Sequence, residues 1–139
     1  MKKTVIINGI ECNLKSSAAI PRIYRFKFGR DIFVDMAKLQ KQISAQEKLV
    51  KELREQAEAE GKEFDEEEIG SSLPISSLEM FENIAFLMHK HGDPSQPSDI
   101  EEWLEQFETF DIYEILPEIL EMWNLENRQL STPKKKSEK

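Results

Sequence analysis

The sequence predicts a mainly α-helical protein: a small helical domain with an N-terminal β-hairpin, one long helix and a disordered basic C-terminal tail. Three observations predict it. Val5-Ile6-Ile7 and the alternating Ile10, Cys12 and Leu14 flank Asn8-Gly9, the pair best suited to a type I′ hairpin turn. Beyond residue 18, apolar residues recur three and four apart, the period of an amphipathic helix. The last nine residues contain four Lys and no aliphatic or aromatic side chain. A chain of 139 residues fits one domain, since domains commonly run to ~100–150 residues. That domain is expected over residues 1–130, with an acidic mobile connector at 61–75 and the Lys-rich tail at 131–139.

Residues 3–15 read as the hairpin, whose return strand sets Ile10, Cys12 and Leu14 against Glu11, Asn13 and Lys15. A lone two-stranded ribbon is marginal in water, so it must pack on a helix or pair with another copy. Ser16-Ser17 is placed to cap a helix over 18–28, with Pro21 tolerated in its first turn and Gly29 as its stop. Ile20, Ile23, Tyr24 and Phe28 share one face of it. A second helix is expected from about Arg30 to Ala59, ending at Gly61. Met36, Leu39, Ile43, Val50, Leu53 and Ala57 fall on its heptad a and d positions, and Gln46 interrupts them. At ~1.5 Å per residue it would be about 45 Å long, more than a small domain covers, so its second half should pair, fray or lie against the body as an arm.

Lys62 to Pro74 reads as the acidic connector, and Ser76 or Ser77 as the cap of a helix reaching about His91. After a turn-rich loop from Gly92 to Ser98, Ser98 or Asp99 should cap a short helix bearing Ile100, Trp103, Leu104 and Phe107. Asp111 should cap the last helix, and Pro117 should kink it or break its first turn.

The charge is uneven. The net −8 divides into +6 over residues 1–46, −6 over 47–70, −11 over 71–130 and +3 over 131–139. An acidic body repels phosphate backbones, which argues against nucleic acid as a partner. A basic front and an acidic rear attract each other, within one chain or between copies, and this marks Arg22, Arg25, Lys27 and Arg30 as candidate self-association residues and the protein as a homo-oligomer. No apolar run approaches the ~20 residues of a membrane span, and the N-terminal apolar stretch is too short for a signal peptide. With a single Cys12, no internal disulfide is possible, so a cytoplasmic, membrane-free setting is expected.

Little here points to catalysis. His89-Lys90-His91 with Asp93 is the only cluster resembling a metal site, but residues two apart on a helix point away from each other. Cys12 has no nearby base in sequence, the carboxylates lie on helix exteriors, and no Gly-rich phosphate loop is present. The reading is a binding protein with no catalytic residues, no metal and no cofactor. Trp103, Phe107, Phe110, Tyr113 and Trp123 crowd into the acidic C-terminal third and should mostly be core, with some left exposed as a candidate binding groove placed near Trp103, Phe107, Ile112, Tyr113, Leu116 and Trp123.

The order of several segments resembles a known family. Val5-Ile6-Ile7-Asn8-Gly9 leads to Tyr24-Arg25-Phe26-Lys27-Phe28-Gly29-Arg30-Asp31. Phe81-Glu82-Asn83-Ile84-Ala85-Phe86-Leu87-Met88, Asp93-Pro94 and Ile100-Glu101-Glu102-Trp103-Leu104 follow, and then the run from Phe110 to Trp123. In this order they are similar to the tail assembly chaperones of long-tailed bacteriophages and of prophages in Gram-positive bacteria. The likeness spans nearly the whole chain and is most specific from Phe110 to Trp123. It implies a protein of the infected host's cytoplasm, absent from the finished virion. Such a protein binds the long helical tape measure protein and keeps it soluble until tail tube protein polymerises around it. It also implies a longer product made by programmed frameshifting, for which the codons of Pro133-Lys134-Lys135-Lys136 would supply an A-rich slippery run.

Two other classes compete. A small non-phage adaptor or regulatory protein would rest on the basic patch of residues 15–30 and predicts salt-sensitive DNA binding. A metal-dependent enzyme would rest on His89 and His91, and metal analysis of the purified protein would reveal it.

Overall fold

A computed structural model describes residues 1–65 and 73–124. The expectations for residues 66–72 of the connector and for the basic tail lie outside the described residues. The elements run β1 (Lys2–Ile7), β2 (Ile10–Lys15), α1 (Ala19–Phe28), α2 (Ile32–Ala59), α3 (Ile75–Gly92), α4 (Ile100–Leu104) and α5 (Ile112–Met122). The mainly helical class and the hairpin are as the sequence predicts.

β1 and β2 pair antiparallel with Val5 opposite Cys12 and Ile7 opposite Ile10. The turn places Asn8 at φ 53° and Gly9 at φ 81°, both in the left-handed region that a type I′ turn requires. Asn8 also holds the turn against the rest of the chain. Its side-chain oxygen accepts from the Glu108 amide at 3.0 Å, and its amide donates to Thr109 Oγ1 at 3.2 Å. Val5, Ile7, Cys12 and Leu14 are buried, and Lys2, Thr4, Ile6, Glu11 and Asn13 are exposed, so the pleat has one inner face.

That inner face packs on a helix, α3, which is the centre of the molecule. Six successive residues, Ile84 to His89, are buried, so this helix is covered on all sides and not along one stripe. β2, α1, α2, α4 and α5 all pack against it. β2 comes so close that a Cβ built on Gly92 would sit 2.0 Å from the Asn13 carbonyl oxygen. β1 lies beside α5, where Lys3 Nζ reaches Glu118 at 3.0 Å and Glu121 at 2.6 Å.

Gly29, at φ 67°, turns α1 into α2, and the Asp31 carboxylate caps α2 by accepting from the Phe33 and Val34 amides. A buried cluster locks this corner. Tyr24 donates its hydroxyl proton to Asp35 Oδ2 at 2.7 Å, and Arg30 donates through Nε and Nη2 to the two Asp35 oxygens, each at 2.8 Å. Asp35 is 1% exposed, and this fork and hydroxyl compensate its buried charge. Burial, and then the neighbouring carboxylate, push the Tyr24 phenol well above its ordinary pKa.

α2 does not fray. It continues to Ala59 and ends in a Schellman motif, with Lys62 N–H donating to Ala57 O and Gly61 N–H to Glu58 O around Gly61 at φ 70°. The chain then turns back along the helix, bringing the Arg54 guanidinium 5.3 Å from the centre of the Phe64 ring. Val50, Leu53 and Ala57 are half-buried on this arm.

Three expected local details differ. Ser16 and Ser17 do not cap α1, whose N-cap is Ala18. Ser16 instead extends the hairpin by exchanging backbone hydrogen bonds with Met1, and its hydroxyl lies 3.2 Å from the Met122 carbonyl. Neither Ser76 nor Ser77 caps α3. The helix starts at Ile75 after Pro74, and Ser77 is buried inside its first turn. Of the two outcomes expected at Pro117, the first turn is not broken: burial of Ile112, Ile115, Leu116, Ile119 and Leu120 on both sides of it outweighs the ~3 kcal/mol cost of an interior proline. The caps expected from Asp99 and Asp111 are present, accepting from the Glu102 and Tyr113 amides.

Candidate functional site

The aromatic residues expected to line a binding groove are first of all core. Trp103 is fully buried, and its indole N–H donates to His89 Nδ1 at 2.9 Å. Phe86, Phe107 and Phe110 surround its ring at centroid distances of 5.3–5.5 Å, and Phe81 closes on Phe110 at 5.1 Å. Burial lowers the His89 pKa, with the Asp93 charge opposing the shift. An imidazole that accepts at Nδ1 carries its proton on Nε2 and is neutral.

Of the six expected groove residues, Trp103, Phe107, Ile112 and Leu116 are buried, and Tyr113 and Trp123 are half-buried. Trp123 meets Phe33 edge-on at 5.6 Å and turns its indole nitrogen to the Met88 sulfur. These six residues therefore do not form one open groove. A domain this small, with four or five rings converging on Trp103, closes its own core with them.

A different recess is open. Where α2 leaves the body, Gln40, Ile43, Ser44 and Glu47 face Leu116, Pro117 and Leu120 of α5 across a groove of about 220 Å³. Ile43 and Leu120 form its apolar floor, each 6% exposed, while Ser44 and Glu47 stand exposed at its rim. The helical spacing that brings Ile43 to this floor continues along α2 through Val50, Leu53 and Ala57, so the floor leads onto the half-buried stripe of the arm. At this size the groove is below the ~300–1,000 Å³ of typical small-molecule pockets, and it suits side chains presented by another protein. Of the expected residues it keeps only Leu116. Reading α2 purely as a heptad concealed the rest, although buried Gln40 and Gln46 beside Ile43 mark where polar side chains enter the seam.

The four basic residues separate as well. Arg22 stacks over Phe26 at 4.8 Å, Lys27 lies 5.9 Å from the centre of the Phe86 ring, and Arg25 is exposed. Arg30, 47% exposed, forks its guanidinium onto Asp35. Phe26, which the sequence reading set among the family-like residues without a role, is 74% exposed.

Among the described residues no buried titratable group lines the groove. Burial holds the Cys12 thiol up to about 11, Tyr24 is bound to Asp35, and His89 is bound to Trp103. Among the described residues no three His, Cys, Asp or Glu side chains converge as metal ligands, and no helix is long and apolar enough to cross a membrane. Asp93 binds its own loop, accepting from Ser95 and Gln96, which lowers its pKa to about 2. No family model, curated protein or solved structure matches the chain.

Proposed function

We propose that this protein is a tail assembly chaperone of a phage or prophage, which binds helical segments of a tape measure protein and keeps that client soluble until tail tube protein assembles around it. The observation that carries the reading is the groove between α2 and α5. It is shallow and apolar at its floor, and it runs on into the half-buried stripe of a long helical arm. An amphipathic client helix laid along this track would cover Ile43, Leu116 and Leu120 first, then Val50, Leu53 and Ala57, at helix-in-groove spacing. A short floor gives weak binding per copy, and several copies on one long client would hold it by avidity while tube subunits could still displace them. The acidic exterior, from Glu47 on the rim to Glu114, Glu118 and Glu121 on α5, would keep such a complex dissolved. In this reading the protein acts in the host cytoplasm, has no catalytic role and is left out of the finished virion.

The test is co-expression with a long helical tape measure protein, with and without this chain, measuring the client's soluble fraction. The soluble fraction should rise with the wild type. It should fall back with Ser44→Arg/Glu47→Arg, which fills the rim without touching the core, and with Val50→Asp on the arm. A client equally soluble in all cases would overturn the reading.

A further inference from the structure

Asn8 and Gly9 do more than turn the hairpin. Asn8 is the only asparagine of the sequence followed by glycine, and both residues are exposed. A Cβ built on Gly9 would have nothing within 4 Å, and among the described residues the Gly9 N–H has no backbone partner. An uncovered backbone nitrogen is a nucleophile for the side-chain amide of the asparagine before it. Glycine hinders that attack least, because it brings no side chain of its own. Such lability is one reason that asparagine is depleted in heat-resistant proteins.

What restrains the reaction is the tie between this turn and the connection from α4 to α5. Asn8 Oδ1 accepts from the Glu108 amide at 3.0 Å, and Asn8 Nδ2 donates to Thr109 Oγ1 at 3.2 Å. These two bonds pin the side-chain amide, so they must open before Cγ can swing onto the Gly9 nitrogen. The same connection carries Phe107 and Phe110, whose rings stand 5.3 Å from that of Trp103. A labile amide is thereby tied to the cover of the aromatic core.

We infer that Asn8 is a site of spontaneous covalent modification, gated by its hydrogen bonds to Glu108 and Thr109, and that its conversion loosens the connection covering Trp103. The Gly9 nitrogen forms a bond to Asn8 Cγ, the Cγ–Nδ2 bond breaks, and ammonia leaves with the proton that Gly9 gives up. Water, the only co-reactant, then opens the cyclic imide at either carbonyl. Opening at Cγ yields aspartate. Opening at the Asn8 backbone carbonyl yields isoaspartate, whose main chain runs through Cβ and Cγ. Aspartate keeps an oxygen for the Glu108 amide, and the Thr109 hydroxyl can rotate to donate to it, so the tie survives with an added charge beside Glu108. Isoaspartate instead lengthens the main chain of a turn whose strands meet with Ile7 opposite Ile10, and the type I′ geometry no longer fits.

Ageing the full-length chain at mildly alkaline pH, followed by peptide mass spectrometry and isoaspartyl methyltransferase labelling, tests this. Asn8 should gain the mass of an amide-to-acid exchange before any other asparagine, and Asn8→Gln should show no comparable gain there. Thr109→Val keeps the branched shape but removes the hydroxyl, so conversion should speed up roughly two- to tenfold, the share of one hydrogen bond. The isoaspartate fraction, isolated chromatographically, should exchange its amide hydrogens faster over residues 105–110 and unfold at lower urea. Asn8→Asp, which carries the charge without the longer main chain, should stay close to wild type in both measurements. Asn8 still intact after another asparagine has converted, or Thr109→Val ageing at the wild-type rate, would refute the inference. So would an isoaspartate fraction with unchanged exchange over 105–110, or an Asn8→Asp protein as loosened as that fraction.

Discussion

Replacing Gly92 by alanine adds one methyl group where the structure has no room for it. Gly92 ends the central helix α3 with an ordinary helical backbone, so the substitution introduces no dihedral strain, and its effect is purely steric. The new Cβ would lie 2.0 Å from the Asn13 carbonyl oxygen, 2.7 Å from its carbon and 3.1 Å from the Leu14 carbon. All three atoms are backbone, so no side chain can rotate out of the way. β2 must withdraw from α3 by about an ångström to bring the first contact to the 3.0 Å that real contacts respect. That withdrawal loosens Cys12 and Leu14, both fully buried against the helix. Overpacking of a tight core costs about 1–3 kcal/mol, and here partial loss of the hairpin's contacts adds to it, so about 2–4 kcal/mol is expected.

Urea unfolding of wild type and Gly92→Ala, followed by far-ultraviolet circular dichroism, measures the difference. Gly29→Ala serves as the comparison: nothing lies within 4 Å of its Cβ, but φ 67° makes alanine unfavourable there by about 1–2 kcal/mol. The Gly92 variant should be the weaker of the two, with a lower midpoint at an unchanged slope. A Gly92→Ala protein within about 0.5 kcal/mol of wild type would refute the close approach of β2 to α3.

Two further outcomes follow from the buried polar groups. Arg30→Ala leaves the Asp35 carboxylate buried with only the Tyr24 hydroxyl, and loss of the fork should lower the urea unfolding midpoint. The fall is smaller than for a fully buried pair because water reaches Arg30, which is 47% exposed, and a variant as stable as wild type would contradict the role given to the fork. His89 has a folded pKa below its ordinary 6.5, so the neutral form is the one the fold favours. Its stabilisation is complete above pH 6.5 and is lost as pH falls from 6.5 towards the lowered folded value. Thermal unfolding between pH 8 and pH 5 should therefore fall more steeply for wild type than for His89→Gln, whose side-chain oxygen still accepts from Trp103, and parallel curves would contradict the burial of a neutral His89.

The hairpin was legible because its signals are local: Asn8-Gly9 dictates the turn, and a two-residue period dictates the face. The caps at Asp99 and Asp111 were legible for the same reason, since each carboxylate serves amides two or three residues ahead. Serines misled because a hydroxyl suits several partners. Ser16 could satisfy the start of α1 or the end of α5, and only the approach of α5 to the hairpin decided for Met122. Burial was the least legible property. Phe26 and Trp103 are both large rings at helical spacing, yet one is 74% exposed and the other 0%. What separates them is long-range, because Trp103 finds His89 fourteen residues away on α3, whereas Phe26 follows a helix whose core side is already taken by Tyr24.

The same competition explains why the expected aromatic groove became core and left a groove elsewhere. With 39% hydrophobic residues and 33% charged ones, the chain has few large apolar side chains to enclose a central helix on all sides. Trp103, Phe107, Ile112 and Leu116 are drawn inward for that purpose, because leaving any of them outside would open a cavity beside α3 at a cost of several kcal/mol. The surplus apolar surface then falls where an element outruns the body it packs on. α2 does so after Ile43, since the six other described elements, all shorter, do not cover a 28-residue helix along its length. The place of the open apolar track is therefore set by helix length, and it could be anticipated from the stripe of α2 more readily than from the density of aromatic residues.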